Sequence, residues 1–226
     1  MIFRDLGLIE YKEAWDYQEK LFGEAQEEKK AGRKPENHLL FCEHHPVFTL
    51  GKSGAGQNLL INEEMLREKG IGFYRNNRGG DITFHGPGQI VGYPILDLES
   101  LGLGLKDYIV HLENGIIELL GRYGLKASHM EGATGVWLDA DHAVKARKIC
   151  AIGVKSGRYI TMHGLALNVN TNLDYFTYIN PCGFETRGVT SMEKELGHSM
   201  NIEEIKDALK TILLERFSSP AFPKGS

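Results

Sequence analysis

Arg78-Gly79-Gly80-Asp81-Ile82-Thr83-Phe84-His85-Gly86-Pro87-Gly88-Gln89 packs four glycines and a proline into twelve residues, more than a hairpin needs. Glycine lets backbone approach a ligand closely and adopt positive φ. Ile82–Phe84 reads as a strand and Gln89–Leu98 as a second, with Gly86-Pro87-Gly88 as the break between them. Arg78 and His85 bring one fixed charge and one titratable ring to the same segment. On these residues alone the segment is either a tight inter-strand loop with His85 at the surface, or a ligand cradle.

The pattern extends in both directions. Upstream, His38–Glu43 and Val47–Leu50 read as strands around a turn at His45-Pro46, followed by a Gly-rich loop over Gly51–Asn58 and a short helix, Glu63–Lys69, stopped by Gly70. Downstream come short β segments at Ala127–His129, Gly135–Leu138, Ile149–Val154, Tyr159–Thr161 and Leu165–Val169. Apolar residues at helical spacing predict helices over Tyr11 to about Lys30, Lys106–Tyr123 and Ile202–Phe217, the last opened by Asn201 with Glu204 three residues on. Strands in the middle and helices at the start, centre and end predict an α+β fold: a mixed or antiparallel sheet with helices packed on it. By length the 226 residues make one large domain or two small ones, and with no internal repeat or low-complexity linker 1–226 is read as a single domain, with a flexible tail over Ser218–Ser226.

Composition narrows the function. Hydrophobic residues make up 42% and charged residues 25%, enough apolar material for a full core. A net charge of −4 lacks the basic footprint of a nucleic-acid binder. No run approaches the roughly 18 apolar residues of a membrane span, and the start lacks a signal peptide's apolar stretch. Three cysteines without paired spacing, Cys42, Cys150 and Cys182, suit a reducing compartment, so a cytoplasmic protein is expected. No metal site is expected: His44 and His45 are adjacent, and on a strand they point to opposite faces.

Other segments could carry chemistry. Pro181-Cys182-Gly183 puts a cysteine on a turn, where its sulfur is either presented or a small buried apolar group. Cys42 sits in the apolar run Leu39-Leu40-Phe41, so burial is expected. An ammonium beside a thiol favours thiolate, and Lys145, Lys148 and Lys155 are all open for that role on spacing alone. Met162-His163-Gly164-Leu165-Ala166-Leu167-Asn168 is either a smooth apolar wall or a buried strand with a histidine at its mouth.

Together these segments resemble the lipoyl(octanoyl) transferases, of the biotin and lipoate protein ligase superfamily. Glu43-His44-His45-Pro46-Val47-Phe48-Thr49-Leu50-Gly51 is similar to that family's E-H-x-P-V-Y/F-T-x-G block, and Arg78–Gln89 to its R-G-G-x-x-T-Y/F-H-G-P-G-Q signature. Lys148-Ile149, Ile152-Gly153, His163 to Asn168 and Pro181-Cys182-Gly183 follow in the family's order. The resemblance implies the α+β fold of those ligases. It also implies transfer of an octanoyl group from octanoyl-acyl carrier protein to a lysine of lipoyl domains, those of 2-oxoacid dehydrogenase complexes and of glycine cleavage H protein. The implied route runs through a thioester on Cys182, with Lys148 lowering its pKa and moving protons. The implied substrate-binding residues are Arg78, Gly79, Gly80, Asp81, Ile82, Thr83, Phe84, His85, Ala151, Ile152, Gly153, Gly164, Leu165 and Ala166, and no cofactor is implied. Leu165, Ala166 and Ile152 are the expected walls of the acyl slot.

Two positions depart from the family pattern. Cys150 stands where the family commonly has a small residue such as Ala and adds a rival nucleophile, and Phe84 takes the place of the commoner Tyr. Lys145, Arg147, Lys148, Lys155 and Arg158 form a candidate landing patch for an acidic carrier protein. The rival readings are an ATP-dependent lipoate–protein ligase, a hydrolase pairing Cys182 with His85 or His163, and a non-catalytic binding module.

Overall fold

The computed structural model describes residues 1–142, 144–180 and 188–218. Strand β1 (Ile2–Ile9) leads into helix α1 (Tyr11–Lys30). Strands β2 (His38–His44) and β3 (Val47–Leu50), helix α2 (Glu63–Glu68), and strands β4 (Gly72–Arg75), β5 (Ile82–His85) and β6 (Gln89–Ile95) follow. After helix α3 (Leu105–Arg122) come β7 (Ala127–Ser128), β8 (Val136–Leu138), β9 (Arg147–Gly157) and β10 (Ile160–Asn168). A 3-10 turn (Leu173–Tyr178), β11 (Gly188–Val189), α4 (Met192–Leu196) and α5 (Ile202–Ser218) complete it. The expected tail therefore contributes only Ser218, as the last helical residue; 219–226 lie outside the described residues.

The main sheet runs β1-β2-β6-β10-β9-β8-β7, with β11 alongside β9. Most pairs are antiparallel, while β1 with β2 and β11 with β9 are parallel, so the sheet is mixed as expected. Period-two alternation sorts its side chains between two cores. On β2, Leu39 and Phe41 face α3 and α5, where they join Leu112, Ile116, Leu119, Leu209 and Leu213. Leu40 and Cys42 face α1, among Ala14, Leu21 and Phe22. Covering both faces with helices explains why the central strands read as nearly unbroken apolar runs. A second sheet, β4-β3-β5, carries its own small core of Phe48, Leu50, Leu66, Ile71, Ile82 and Phe84. Among the described residues no helix is long and apolar enough to cross a membrane.

Candidate active site

Between the two sheets, on the α1 side of the main one, lies a cavity of about 950 Å³. From the small sheet and its loops come Arg78, Gly80, Asp81, Ile82, Thr83 and His85; from β9, Lys148, Ala151, Ile152 and Gly153; from β10, Gly164, Leu165 and Ala166. The structure thus brings together residues from three separated segments. Gly79 and Phe84 do not line the cavity. The Gly79 N–H donates to the Val154 carbonyl at 2.9 Å. The Phe84 ring faces the opposite side of the small sheet, stacked on Tyr175 with centroids 4.4 Å apart.

Arg78 is buried and its guanidinium is spent on backbone and hydroxyl oxygens. It donates to the Thr49 carbonyl at 2.7 Å, Thr49 Oγ1 at 2.9 Å, the Asp81 carbonyl at 2.7 Å and the Gly79 carbonyl at 3.0 Å. It therefore fastens the 78–81 loop to β3. Asp81 accepts the Ile82 N–H at 2.7 Å and Asn58 Nδ2 at 2.6 Å, closing the same loop.

Two histidines, His85 and His163, line the cavity, and the His44 ring lies behind His85 with centroids 5.9 Å apart; all three pKa values are lowered by burial. Burial pushes His85 down to about 3, and the Arg78 guanidinium adds to it. Its Nδ1 hydrogen bonds Gln89 Oε1 at 2.8 Å, which excludes the surface position offered by one reading of the loop. Burial lowers His163 to about 3, helped by Arg78 and Lys155. His44, lowered by burial to about 4, hydrogen bonds Tyr93 OH at 2.7 Å. His45 is exposed, so the adjacent pair does diverge as expected.

His163 has φ +61°, rare for a residue with a Cβ. Leu165 and Leu167 face α3 and α5, and strict alternation would send His163 there too. Its backbone twist turns the ring to the α1 side instead, where Nε2 hydrogen bonds Asn77 Oδ1 at 2.8 Å and its N–H donates to Gln18 Oε1 at 3.1 Å. Gly164, next along, passes so close to β6 that a Cβ would lie 2.1 Å from the Gly92 carbonyl oxygen.

Lys148 reaches the cavity through a β-bulge. Val136 pairs with Cys150 while Trp137 pairs with Lys148, so one residue of β8 spans two of β9 and Ile149 is the extra one. Without it, Lys148 would share a face with Cys150; with it, Lys148 shares the cavity face with Ala151. Cys150 is fully buried in the core, and burial pushes its thiol up to about 12. It is no rival thiolate. Cys42 is likewise buried and its thiol raised.

Two residues of the expected landing patch have acidic neighbours. Arg147 is held by Glu195 through two bonds of 2.6 Å and also by Asp139. Lys155 lies over the Phe22 ring, 4.6 Å from its centroid, with Glu19 at 3.5 Å. Pro181-Cys182-Gly183 lies outside the described residues. Asn180 and Gly188, which flank 181–187, both line the cavity. Tyr11, Tyr93, Thr134 and Trp137 also line it and were missed by the sequence reading. Tyr11, Tyr93 and Trp137 sit in segments whose only visible signal is apolar periodicity, which a core residue gives equally well, and Thr134 sits in a short loop with no signal of its own.

The Lipoyl protein ligase A/B catalytic domain family model matches residues 10–214. An octanoyltransferase of Parabacteroides distasonis is 56% identical over 216 residues, 96% of this chain and 98% of that protein. One from Bacteroides fragilis is 54% identical, covering 94% of this chain and 96% of its own. A bipartite lipoate protein ligase of Thermoplasma acidophilum shares the fold at a TM-score of 0.68 and 17% identity, over 96% of this chain and 84% of that one. On fold and sequence together, the chain belongs to the lipoyl protein ligase A/B catalytic family and, within it, to the octanoyltransferases, enzymes of the acyltransferase class.

Proposed function

We propose that the protein moves an octanoyl group from octanoyl-acyl carrier protein onto a specific lysine of lipoyl domains, through a thioester on Cys182. The supporting observation is that Lys148 and the two residues flanking 181–187 open onto one cavity. Cys42 and Cys150 are free, buried and of suppressed acidity, which leaves Cys182 as the candidate thiolate in a reducing, cytoplasmic setting.

A thiolate suits transfer between a thioester and an amine because it is both a good nucleophile and a good leaving group. In the first step the Cys182 thiolate attacks the octanoyl carbonyl carbon. The new C–S bond forms, the carrier's C–S bond breaks, and the departing thiolate takes a proton from the Lys148 ammonium. In the second step the acceptor amine attacks the enzyme thioester. The C–N bond forms, the Cys182 C–S bond breaks, and neutral Lys148 takes the amine's proton. Both groups end as they began, and the pair titrates as a unit. The acyl chain, worth about 0.8 kcal/mol per buried methylene, lies along Ala166, Ala151 and Val91. Acceptors are the lipoyl domains of 2-oxoacid dehydrogenase complexes and glycine cleavage H protein.

The test is intact mass after mixing the protein with octanoyl-carrier protein. Wild type gains an octanoyl adduct that a lipoyl domain discharges, and Cys182→Ala gains none. An amide formed only when ATP and free octanoate are added would instead make the enzyme a ligase; release of free octanoate would make it a hydrolase.

A further inference from the structure

Lys148 is cross-strand partner to Trp137, which puts the two side chains side by side on one face of the β8–β9 pair. The Lys148 Nζ lies 4.7 Å from the centroid of the Trp137 ring and donates to the Thr134 carbonyl at 3.1 Å. Both partners are themselves fixed. The indole N–H donates to the Ala133 carbonyl at 3.0 Å, and Trp137 is buried. The Gly135 N–H, immediately after Thr134, donates to Glu113 Oε1 at 2.8 Å. The other oxygen of that buried carboxylate accepts from His129 Nδ1 at 2.8 Å. Gly135, at φ +119°, lets the loop run under the lysine stem: a Cβ there would sit 2.6 Å from the Cys150 carbonyl oxygen and 3.4 Å from Lys148 Cε.

An ammonium is attracted by the face of an indole and by a carbonyl oxygen, and a neutral amine by neither to the same degree. We infer that Trp137 and the Thr134 carbonyl, anchored through Gly135 to Glu113, form a seat that holds Lys148 at the cavity and selects its charged state. Trp137 and Glu113 are positioning residues. The inference rests on the proposed role of Lys148 as proton donor in the first step.

Among the described residues, other ionisable groups stand close to the lysine. Asp174 and Lys194 line the same cavity from the 3-10 turn and α4. Cys150 lies behind on β9 with its thiol suppressed, and Arg147 is bound by Glu195. Trp137→Phe, which keeps a ring face over the lysine, separates loss of the seat from a disturbance of these groups.

The experiment follows octanoyl-enzyme formation from octanoyl-carrier protein by rapid quench and intact mass, from pH 6 to 10. Wild type, Trp137→Phe, Trp137→Leu and Lys148→Ala are compared. Removing the ring face in Trp137→Leu destabilises the ammonium, so the alkaline limb moves down by roughly half a pH unit; Trp137→Phe, which keeps a ring face, stays nearer wild type. If Lys148→Ala is slowed at least a hundredfold and the Trp137→Leu limb stays where it is, the lysine acts without the seat and the inference fails alone. If Lys148→Ala acylates normally, the lysine's role fails and the inference with it. Should Trp137→Leu not fold, wild-type protein with ¹³C-labelled lysine decides. The ε-methylene signal lost in Lys148→Arg is expected upfield of the other lysines, displaced by the indole ring current; an undisplaced signal overturns the seat.

Discussion

Ala166 is where a single side chain has most leverage over substrate choice. It is nearly fully buried, pairs with Ala151 across β9 and β10, and lines the cavity beside Val91. Two alanines facing one another leave the width an alkyl chain needs. Ala166→Phe fills that width, and losing space for two or more methylenes at about 0.8 kcal/mol each lowers kcat/KM for octanoyl thioesters tenfold or more relative to butanoyl thioesters. A ranking of acyl lengths unchanged in this variant would mean the chain lies elsewhere. Ile152 and Leu165 also border the cavity, but both pack into the α3–α5 core, so substitution there costs stability as well as specificity. Their residue type was readable in the sequence. Which of three neighbouring apolar side chains governs the cavity's width was not, because strand direction and pairing decide it.

Helices and central strands were legible because periodicity reports burial directly: α1 spans Tyr11–Lys30 and β3 spans Val47–Leu50, both as the sequence predicts. Elements whose partners lie far along the chain were not. The strand β1 went unread because Arg4-Asp5 and Gly7 break its alternation, and it pairs in parallel with β2 only through a register shift between Asp5 and Leu8. Residues 159–169 read as two strands because His163-Gly164 looks like a break; β10 runs through it, with the twist at His163 absorbed within one ladder. The attachment of β1 has a specific dependence on α5. Lys206, almost fully buried, stands 3.4 Å from Asp5 on β1, 3.4 Å from Glu43 on β2 and 2.9 Å from Glu203. Burial disfavours its charge, yet Glu203, Asp5 and Glu43 together outweigh that and raise its pKa. Lys206→Ala leaves those carboxylates facing one another without a counter-charge. The partners keep some solvent, so the cost is about 2 kcal/mol, below the 3–5 of a fully buried pair. Urea denaturation at pH 7 measures it, and a loss under about 0.5 kcal/mol would make the cluster ornamental.

At the scale of the whole molecule, the site is an assembly that no local pattern announces. The bulge at Ile149 turns Lys148 toward the cavity, and the pairing of β8 with β9 brings Trp137 to it; neither register is written in either strand alone. The same assembly buries His44, His85 and His163 between the sheets and holds each neutral, at about 4, 3 and 3 respectively. Those values lie below the roughly 6.5 of an unfolded histidine. The unfolded chain therefore takes up these protons first, so stability is complete above about pH 6.5 and is lost as pH falls toward 4 and then 3. Between pH 7 and 5 each ring contributes a loss of at most about 2 kcal/mol, together a large part of an ordinary domain's stability. The expected outcome is a steep fall in the thermal midpoint over that range, with inactivation in acid following unfolding rather than preceding it. His163→Gln, which cannot take up the proton, flattens the profile by one histidine's share if it folds with the Asn77 bond kept. A midpoint that stays level from pH 7 to pH 5 in the wild-type protein would mean the rings accept protons in the folded state, and that the space between the sheets is wetter than these contacts describe.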